Sequence, residues 1–198
     1  MKSRLLPYCT LFLSLLTVGA SLWVAQEVTG SLLGKVTVIQ LERYGGVTFD
    51  HLRRLEIWRL VAAQLIHAKQ LHMIYNVLSL LLLGMFIERH VGFARFFVLW
   101  LLPGAAGTLL STLFVEPPWN VGTGASQAVM GIAAFGLLLM YRGVDPSRGL
   151  KAAIAFALIP ALALDLAFAH YPKPGHLLGF LGGLALGGHY YQRQAAAT

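Results

Sequence analysis

The sequence predicts an all-α polytopic membrane protein, a bundle of six transmembrane helices. Of its 198 residues, 57% are hydrophobic and only 12% are charged. A soluble domain carries roughly twice that charged fraction. The apolar residues also fall in long blocks rather than at alternating or 3.6-residue spacing, which is typical of membrane spans. We expect a single six-helix domain over residues 1–198, with no separate soluble domain.

Six apolar blocks predict the spans, and each approaches the roughly 20 residues that a bilayer requires. They lie at residues 6–24, 71–87, 96–115, 125–141, 152–169 and 175–191. The second and fourth blocks are short and carry polar residues, so we expect them to face protein rather than lipid. The first block fits either a retained helix that starts the bundle or a signal peptide cleaved near Ala20.

The basic residues favour an orientation with the N-terminus inside the cell. The short inside segments then carry Lys2, Arg4, Arg89, Arg95, Arg142, Arg148, Lys151 and Arg193, whereas the short outside segments carry only Lys173. This asymmetry follows the positive-inside rule. The first loop, about residues 26–70, disagrees because it would lie outside and yet holds six Lys or Arg residues. Its segments 31–43 and 58–66 are typical of amphipathic stretches at a membrane interface.

The net charge of +7 is therefore interpreted as anchoring in a lipid bilayer, with no nucleic acid as a partner. Cys9 is the single cysteine and lies in the first block, which excludes an intramolecular disulfide. The sequence holds no CxxC, His-rich tract or carboxylate cluster with metal-ligand spacing, so we predict no metal site.

Four polar residues are predicted to lie at one depth of the membrane, because spans two, four and six run in the same direction. His72 and Asn76 begin the second span, Ser126 begins the fourth and His176 begins the sixth. All four then lie in the outer part of the bilayer. Polar side chains are costly there unless they meet one another or water.

A stripe of small residues indicates how the fourth and sixth spans pack. The sixth span carries a glycine at every fourth position, namely Gly175, Gly179, Gly183 and Gly187. Such a stripe lets a neighbouring helix approach closely. Gly124, Ala128 and Gly131 offer a matching surface on the fourth span, and this packing would bring His176 within reach of Ser126.

These residues have the chemistry of acyl transfer. Ser126 would be the nucleophile, and His176 would accept its proton and later return it to the leaving amine. Asn76, His72 and the Ser126 amide could stabilise the charge that develops on the carbonyl oxygen. Any one of these residues alone is more often part of a helix–helix hydrogen bond. Their convergence at one depth favours a catalytic site.

The same residues form motifs that resemble those of the rhomboid family. They are HxxxN at His72 and Asn76, GxS at Gly124 and Ser126, HxxGxxxG at His176, Gly179 and Gly183, WR at Trp58 and Arg59, GxxxE at Gly84 and Glu88, and a further histidine at His67. The resemblance covers residues 56 to 187. HxxxN or GxS alone would be weak evidence, whereas all the motifs in this order are specific.

The resemblance implies an intramembrane serine protease that cleaves transmembrane protein substrates near their outer ends. It implies a Ser126–His176 dyad with no acidic third member, no metal and no cofactor, and a rhomboid-like fold. The six-helix form is similar to the bacterial type that has no added seventh helix. This similarity implies that the protein lies in the inner membrane with its N-terminus in the cytoplasm. Rhombosortases, a bacterial subgroup of similar size, are one candidate within it.

Two residues do not fit this resemblance simply. The family usually has glycine after the serine, whereas this chain has Gln127. Its side chain could bond a neighbouring helix, donate to the substrate carbonyl or narrow the site. Asp165 in the fifth span is also at the outer depth. Because the family dyad lacks an acid, we expect Asp165 to pair with a nearby donor or to border water.

Two other classes of function are open to this sequence. A catalytically inactive rhomboid-like binder of membrane proteins would typically lack the serine or the histidine, and Gln127 is the one feature in its favour. A small transporter or channel would show inverted repeats or charged pore linings, and the sequence shows neither.

Overall fold

The computed structural model describes residues 6–195, with side chains to residue 190. Lys2, Arg4 and the Arg193 side chain, which contribute to the predicted orientation, lie outside the described residues. The helices are α1 (Tyr8–Thr29), α2 (Val38–Glu42), α3 (Phe49–Arg53), α4 (Arg59–Leu65), α5 (Gln70–Val91), α6 (Phe93–Ser111), α7 (Ser126–Tyr141), α8 (Arg148–Ala169) and α9 (Pro174–Ala195), with a 3-10 turn at Thr112–Phe114. An isolated bridge joins Val47 and Gly122, and residues 6–195 form no strand. The all-α prediction is confirmed.

Four helices are long and apolar enough to cross a membrane, and they match the first, second, third and fifth predicted spans. They are Tyr8–Thr29, Gln70–Val91, Phe93–Phe114 and Arg148–Ala169, each of 22 residues. The fourth span corresponds to α7, an apolar helix of only 16 residues. The sixth corresponds to α9, which has 22 residues. The architecture is a polytopic helical bundle.

The short helix α7 occupies the interior of the bundle, and every residue from Ser126 to Gly136 is buried. At 1.5 Å per residue its length is about 24 Å, less than the roughly 30 Å of a bilayer core. A helix enclosed by protein can begin below the membrane surface, because irregular backbone is tolerated there only when other protein covers it. The N-terminus of α7 is therefore suited to a site within the membrane.

The glycine stripe of α9 packs closely against α7, as predicted. A Cβ atom at Gly179 would overlap the backbone of Gln127, and one at Gly183 would overlap the backbone of Gly131. The predicted partner surface is only partly right. The nearest neighbours of a Cβ at Gly124 are the rings of His67 and His72, at 3.6 and 3.9 Å, rather than α9. Gly124 belongs to the loop before α7.

The first helix is joined to α5 by a buried carboxylate. Glu88 accepts hydrogen bonds from the backbone amides of Cys9 and Thr10, at 2.9 and 2.8 Å, and from the Thr10 hydroxyl at 2.7 Å. Because the first amides of a helix lack partners within it, this side chain acts as a cap for α1. Gly84, one turn earlier on α5, lies directly against Thr10. The contact fixes the start of α1 against the end of α5.

The loop between α1 and α5 contains the short helices α2, α3 and α4. Of these, α2 and α4 are shorter than the amphipathic segments predicted at residues 31–43 and 58–66. Arg59 donates to the carbonyl groups of Glu42 and Gly46 and to the carboxylate of Glu56. One guanidinium thus joins three turns of the loop, which is the anchoring role expected for a planar group with five donors.

Candidate active site

Ser126 and His176 meet where α7 and α9 begin. The Nε2 atom of His176 lies 3.0 Å from the Ser126 Oγ, a hydrogen-bond distance. Both residues are buried, at 6% and 7% exposure. Ser126 is the first residue of α7, and His176 is in the first turn of α9. The contact of Gly179 with Gln127 holds the two helix starts side by side.

Hydrogen bonds to the first loop hold the segment that leads into Ser126. Gly122 exchanges two backbone hydrogen bonds with Val47, and the Gly124 amide donates to the carbonyl of Ala63 at 2.7 Å. Gly124 has a φ of +94°, a conformation that side chains rarely adopt. These hydrogen bonds pair backbone groups of Gly122 and Gly124 inside the protein, and they hold the turn that precedes Ser126 in place.

His67 connects this segment to two helices. Its Nε2 accepts from the Ala125 amide at 3.2 Å and lies 3.2 Å from Asn76 Nδ2. Because a backbone amide can only donate, Nε2 carries no proton, and the proton is on Nδ1. Nδ1 lies 3.1 Å from the Ser21 hydroxyl, which in turn donates to the Leu65 carbonyl. His67 thus joins α1, α5 and the segment that leads into Ser126.

The three predicted oxyanion donors differ in their surroundings. Asn76 is buried and its amide nitrogen already contacts His67, while its Oδ1 has no partner within residues 6–190. His72 is exposed, and its ring lies beside His67 with 5.7 Å between centroids. The Ser126 amide is at the start of α7, where backbone N–H groups have no partner within the helix. Because Asn76 and the Ala125 amide both contact His67 Nε2, Asn76 lies next to the serine turn, residues 122–125.

Gln127 does not turn away to bond another helix. Its Oε1 accepts a hydrogen bond from the Ser126 hydroxyl at 3.2 Å, while its Cβ and Cγ lie against Gly107 and Gly175. The residue is buried, at 8% exposure. The hydroxyl hydrogen of Ser126 therefore has two acceptors within reach, Gln127 and His176.

Asp165 lies directly behind His176. Its Oδ2 is 2.6 Å from His176 Nδ1 and accepts from the Lys173 amide at 3.0 Å. The residue is 1% exposed and pairs with nearby donors, which is the first of its two predicted environments. The sequence already indicated this position, because the direction of α8 places Asp165 at the depth of His176. The resemblance to the family gives it no role, because the family dyad lacks an acid.

This fold and this site define a class of protein, namely helical membrane bundles in which a buried serine and a buried histidine are in hydrogen-bond contact. The family model described as "Rhomboid domain" matches residues 54–193. The chain belongs to the rhomboid family.

Individual relatives extend this similarity to plants and protozoa. The chain is 33% identical to RHOMBOID-like protein 2 of Arabidopsis thaliana over 133 residues, which are 66% of this chain and 41% of the relative. It is 34% identical to RHOMBOID-like protein 4 of the same plant over 146 residues, 68% and 36% of the two chains. It is 30% identical to Rhomboid-like protease 3 of Toxoplasma gondii over 139 residues, 68% and 52%. The chain thus spans about two fifths of the length of these two Arabidopsis relatives.

Proposed function

We propose that this protein is an intramembrane serine endopeptidase that cleaves transmembrane protein substrates. The observation that carries the proposal is the buried hydrogen bond between the Ser126 Oγ and the His176 Nε2. A nucleophile in contact with its base is the minimum arrangement for covalent acyl transfer. The rhomboid family includes serine proteases of this kind, and one of the relatives above is named a protease.

In the proposed reaction, the Ser126 Oγ attacks the carbonyl carbon of the scissile peptide while its proton passes to His176 Nε2. The tetrahedral intermediate then expels the amine, which takes the proton from His176 as the C–N bond breaks. A water molecule attacks the resulting ester, again with His176 as base, and releases the carboxylic acid and the free serine.

The negative charge on the tetrahedral intermediate would be stabilised by the Ser126 amide, by His72 and by Asn76. In the resting structure the Asn76 amide lies against His67, so it is positioned beside the serine turn before substrate arrives. Asn76→Ala should lower kcat rather than raise KM, because such a donor acts in the transition state.

We further propose that the chain functions as one six-helix domain in the inner membrane of a bacterium, with a cytoplasmic N-terminus and the first loop outside. Impermeant thiol labelling tests this orientation. In a Cys9→Ser background, single cysteines at Lys173 and at Arg53, an exposed position of the first loop, should react from outside, and those at Gly92 and Ser147 should not. The opposite pattern would put the site on the inner side. Assignment to the rhombosortase subgroup stays a hypothesis.

The activity itself is tested by reaction with a fluorophosphonate probe and by cleavage of a model transmembrane substrate. The parent protein should be labelled and active, whereas Ser126→Ala should be neither. His176→Ala should retain the fold and lose cleavage. Cleavage that persists in either variant would refute the assignment of that residue.

One observation favours a second function, an inactive rhomboid-like binder of membrane proteins. Gln127 replaces the usual glycine, and its Oε1 competes with His176 for the Ser126 hydrogen. Gln127→Gly separates the two functions. If the parent is inactive and Gln127→Gly is active, the protein is a binder whose protease activity one residue has removed. If the parent is active, the protein is a protease.

A further inference from the structure

A buried carboxylate on α8 completes a chain of three polar groups that leads to the serine. Ser126 Oγ lies 3.0 Å from His176 Nε2, and His176 Nδ1 lies 2.6 Å from Asp165 Oδ2. The three side chains come from three different helices, α7, α9 and α8. All are buried, with exposures of 6%, 7% and 1%.

Two further titratable side chains lie near these three polar groups. Lys173, on the turn between α8 and α9, places its Nζ 3.3 Å from Asp165 Oδ1, and its own side chain is 56% exposed. His72 on α5 is near enough to Asp165 and His176 to be affected by their charge. A carboxylate in this position thus faces one surface cation and two imidazoles.

The pairing determines where the single proton of a neutral His176 lies. An ionised carboxylate can only accept hydrogen bonds, so the 2.6 Å contact requires the proton on Nδ1. Nε2 then presents its lone pair to the Ser126 hydroxyl, which is the tautomer that a general base needs. The other tautomer would direct an N–H group at the serine and leave the Asp165 carboxylate facing a lone pair.

We propose that Asp165 is a positioning residue that makes this a three-member site, Ser126–His176–Asp165, rather than a dyad. The inference rests on the proposed protease function. As the Ser126 Oγ bonds to the substrate carbonyl carbon, its proton moves to His176 Nε2, and the imidazolium is held between the tetrahedral intermediate and Asp165. The proton then leaves on the amine as the C–N bond breaks. Asp165 stays ionised throughout and exchanges no proton.

A purely structural role for Asp165 is the alternative to be tested. The same Oδ2 atom accepts from the Lys173 amide, and Oδ1 faces the Lys173 Nζ, so the carboxylate also closes the turn between α8 and α9. If closing this turn were its whole function, Asp165→Asn, whose side-chain oxygen can still accept from the Lys173 amide, should lower activity no more than loss of the Lys173 ammonium does. Lys173→Met removes that ammonium while leaving the backbone amide in place.

The experiment compares Asp165→Asn, Lys173→Met and Asp145→Asn in the full-length protein. Asp145 is the matched control, a second buried aspartate that pairs with Arg89 and His90 in the turn after α7. Asp165→Asn should lower kcat on the order of 10³- to 10⁴-fold with little change in KM, because an amide at this position favours the wrong tautomer. Lys173→Met and Asp145→Asn should keep kcat near that of the parent.

The outcomes separate this inference from the proposed function. If the parent is active, Ser126→Ala is inactive and Asp165→Asn is as active as the parent, then the proposed role of Asp165 is overturned and the protease function stands. Equal losses of kcat in Asp165→Asn and Lys173→Met also overturn it, in favour of the turn. A parent that neither cleaves substrate nor reacts with the fluorophosphonate overturns the protease function itself.

A measurement on the parent protein keeps the inference testable if Asp165→Asn fails to fold. Nitrogen NMR of histidine-labelled protein reports which ring nitrogen is protonated, and the His176 signals are those lost in His176→Gln. At neutral pH we expect a protonated Nδ1 and an unprotonated Nε2. A protonated Nε2 with a bare Nδ1 would contradict the proposal.

Discussion

The ring of His67 accepts a hydrogen bond from the backbone amide of Ala125, the residue immediately before Ser126, at 3.2 Å. The two residues are 58 positions apart in sequence. The same nitrogen contacts Asn76, and the other ring nitrogen contacts Ser21 on α1. One buried imidazole therefore connects the first helix, the start of α5 and the serine turn.

His67→Ala should destabilise the protein by about 1–3 kcal/mol, because the buried Ala125 amide would lose its acceptor. We also expect slower fluorophosphonate labelling of Ser126, since the turn would no longer be held. Thermal unfolding in detergent and labelling kinetics measure the two effects. His189→Ala, at an exposed position of α9, is the control and should change neither. Parent-like behaviour of His67→Ala would show that the connection is dispensable.

Glu88→Ala should loosen α1 from the bundle. The substitution leaves the amides of Cys9 and Thr10 without their acceptor, at a cost of about 1–3 kcal/mol for such buried groups. The expected result is a lower midpoint of thermal unfolding and faster proteolysis near the N-terminus. Glu27→Ala removes an exposed glutamate from the other end of α1 and serves as the control. Equal stability of the two variants would contradict a capping role.

Gly183→Ala should separate α7 from α9. The added methyl group would overlap the Gly131 backbone, and overpacking of this kind typically costs about 1–3 kcal/mol. We expect lower stability together with lower cleavage, because the same crossing brings His176 to Ser126. Gly188→Ala is a matched control on the same helix, since a Cβ there meets nothing within 4 Å. It should keep full activity and gain slightly in stability, as alanine favours helix.

Asp145 should contribute stability that depends on pH. Burial alone would raise the pKa of Asp145, but hydrogen bonds from Ser147, Arg89 and His90 outweigh burial and hold this pKa well below its ordinary value. Since the folded-state pKa is the lower one, the contribution is complete above the ordinary value of about 3.9 and is lost as pH falls towards the folded-state pKa.

Asp145→Asn should accordingly lower the free energy of unfolding at pH 7 by about 1–3 kcal/mol, and the difference from the parent should shrink below about pH 4. Unfolding midpoints measured between pH 3 and pH 7 test this dependence. Asp50→Asn is the control, because the Asp50–Arg53 pair is exposed at 70% and 81% and such pairs contribute little. A difference that grows as pH falls would have the wrong sign.

Much of the architecture was predictable because a bilayer imposes strong rules on sequence. Four of the predicted spans match helices that are long and apolar enough to cross a membrane, and the other two correspond to α7 and α9, since apolar blocks of about 20 residues are read directly from composition. The neighbouring positions of Ser126 and His176 followed from the alternation of helix directions and from the glycine stripe of α9. The observed geometry agrees with that prediction, with 3.0 Å between the two atoms.

The rotations of individual helices and side chains were not predictable. Asp165 was predicted at the right depth, but nothing in an apolar block shows whether it faces His176 or a different neighbour. Gln127 was equally open, and its amide oxygen lies against the Ser126 hydroxyl instead of bonding another helix. The partners of His67 come from α1, α5 and the serine turn, which are distant in sequence.

The sequence by itself determined that this is a helical membrane protein of the rhomboid family and which residues could form a serine–histidine site. Hydropathy and motif spacing contain that information, because the bilayer selects for length and apolarity. Tertiary structure alone decided that Asp165 lies behind His176, that Gln127 contacts the nucleophile and that His67 braces its turn. Lipid is as apolar as a leucine-rich helix face, so the sequence does not encode helix rotation through hydrophobicity. Rotation is set by close packing at glycines such as Gly179 and Gly183, and it becomes visible only when the helices are assembled.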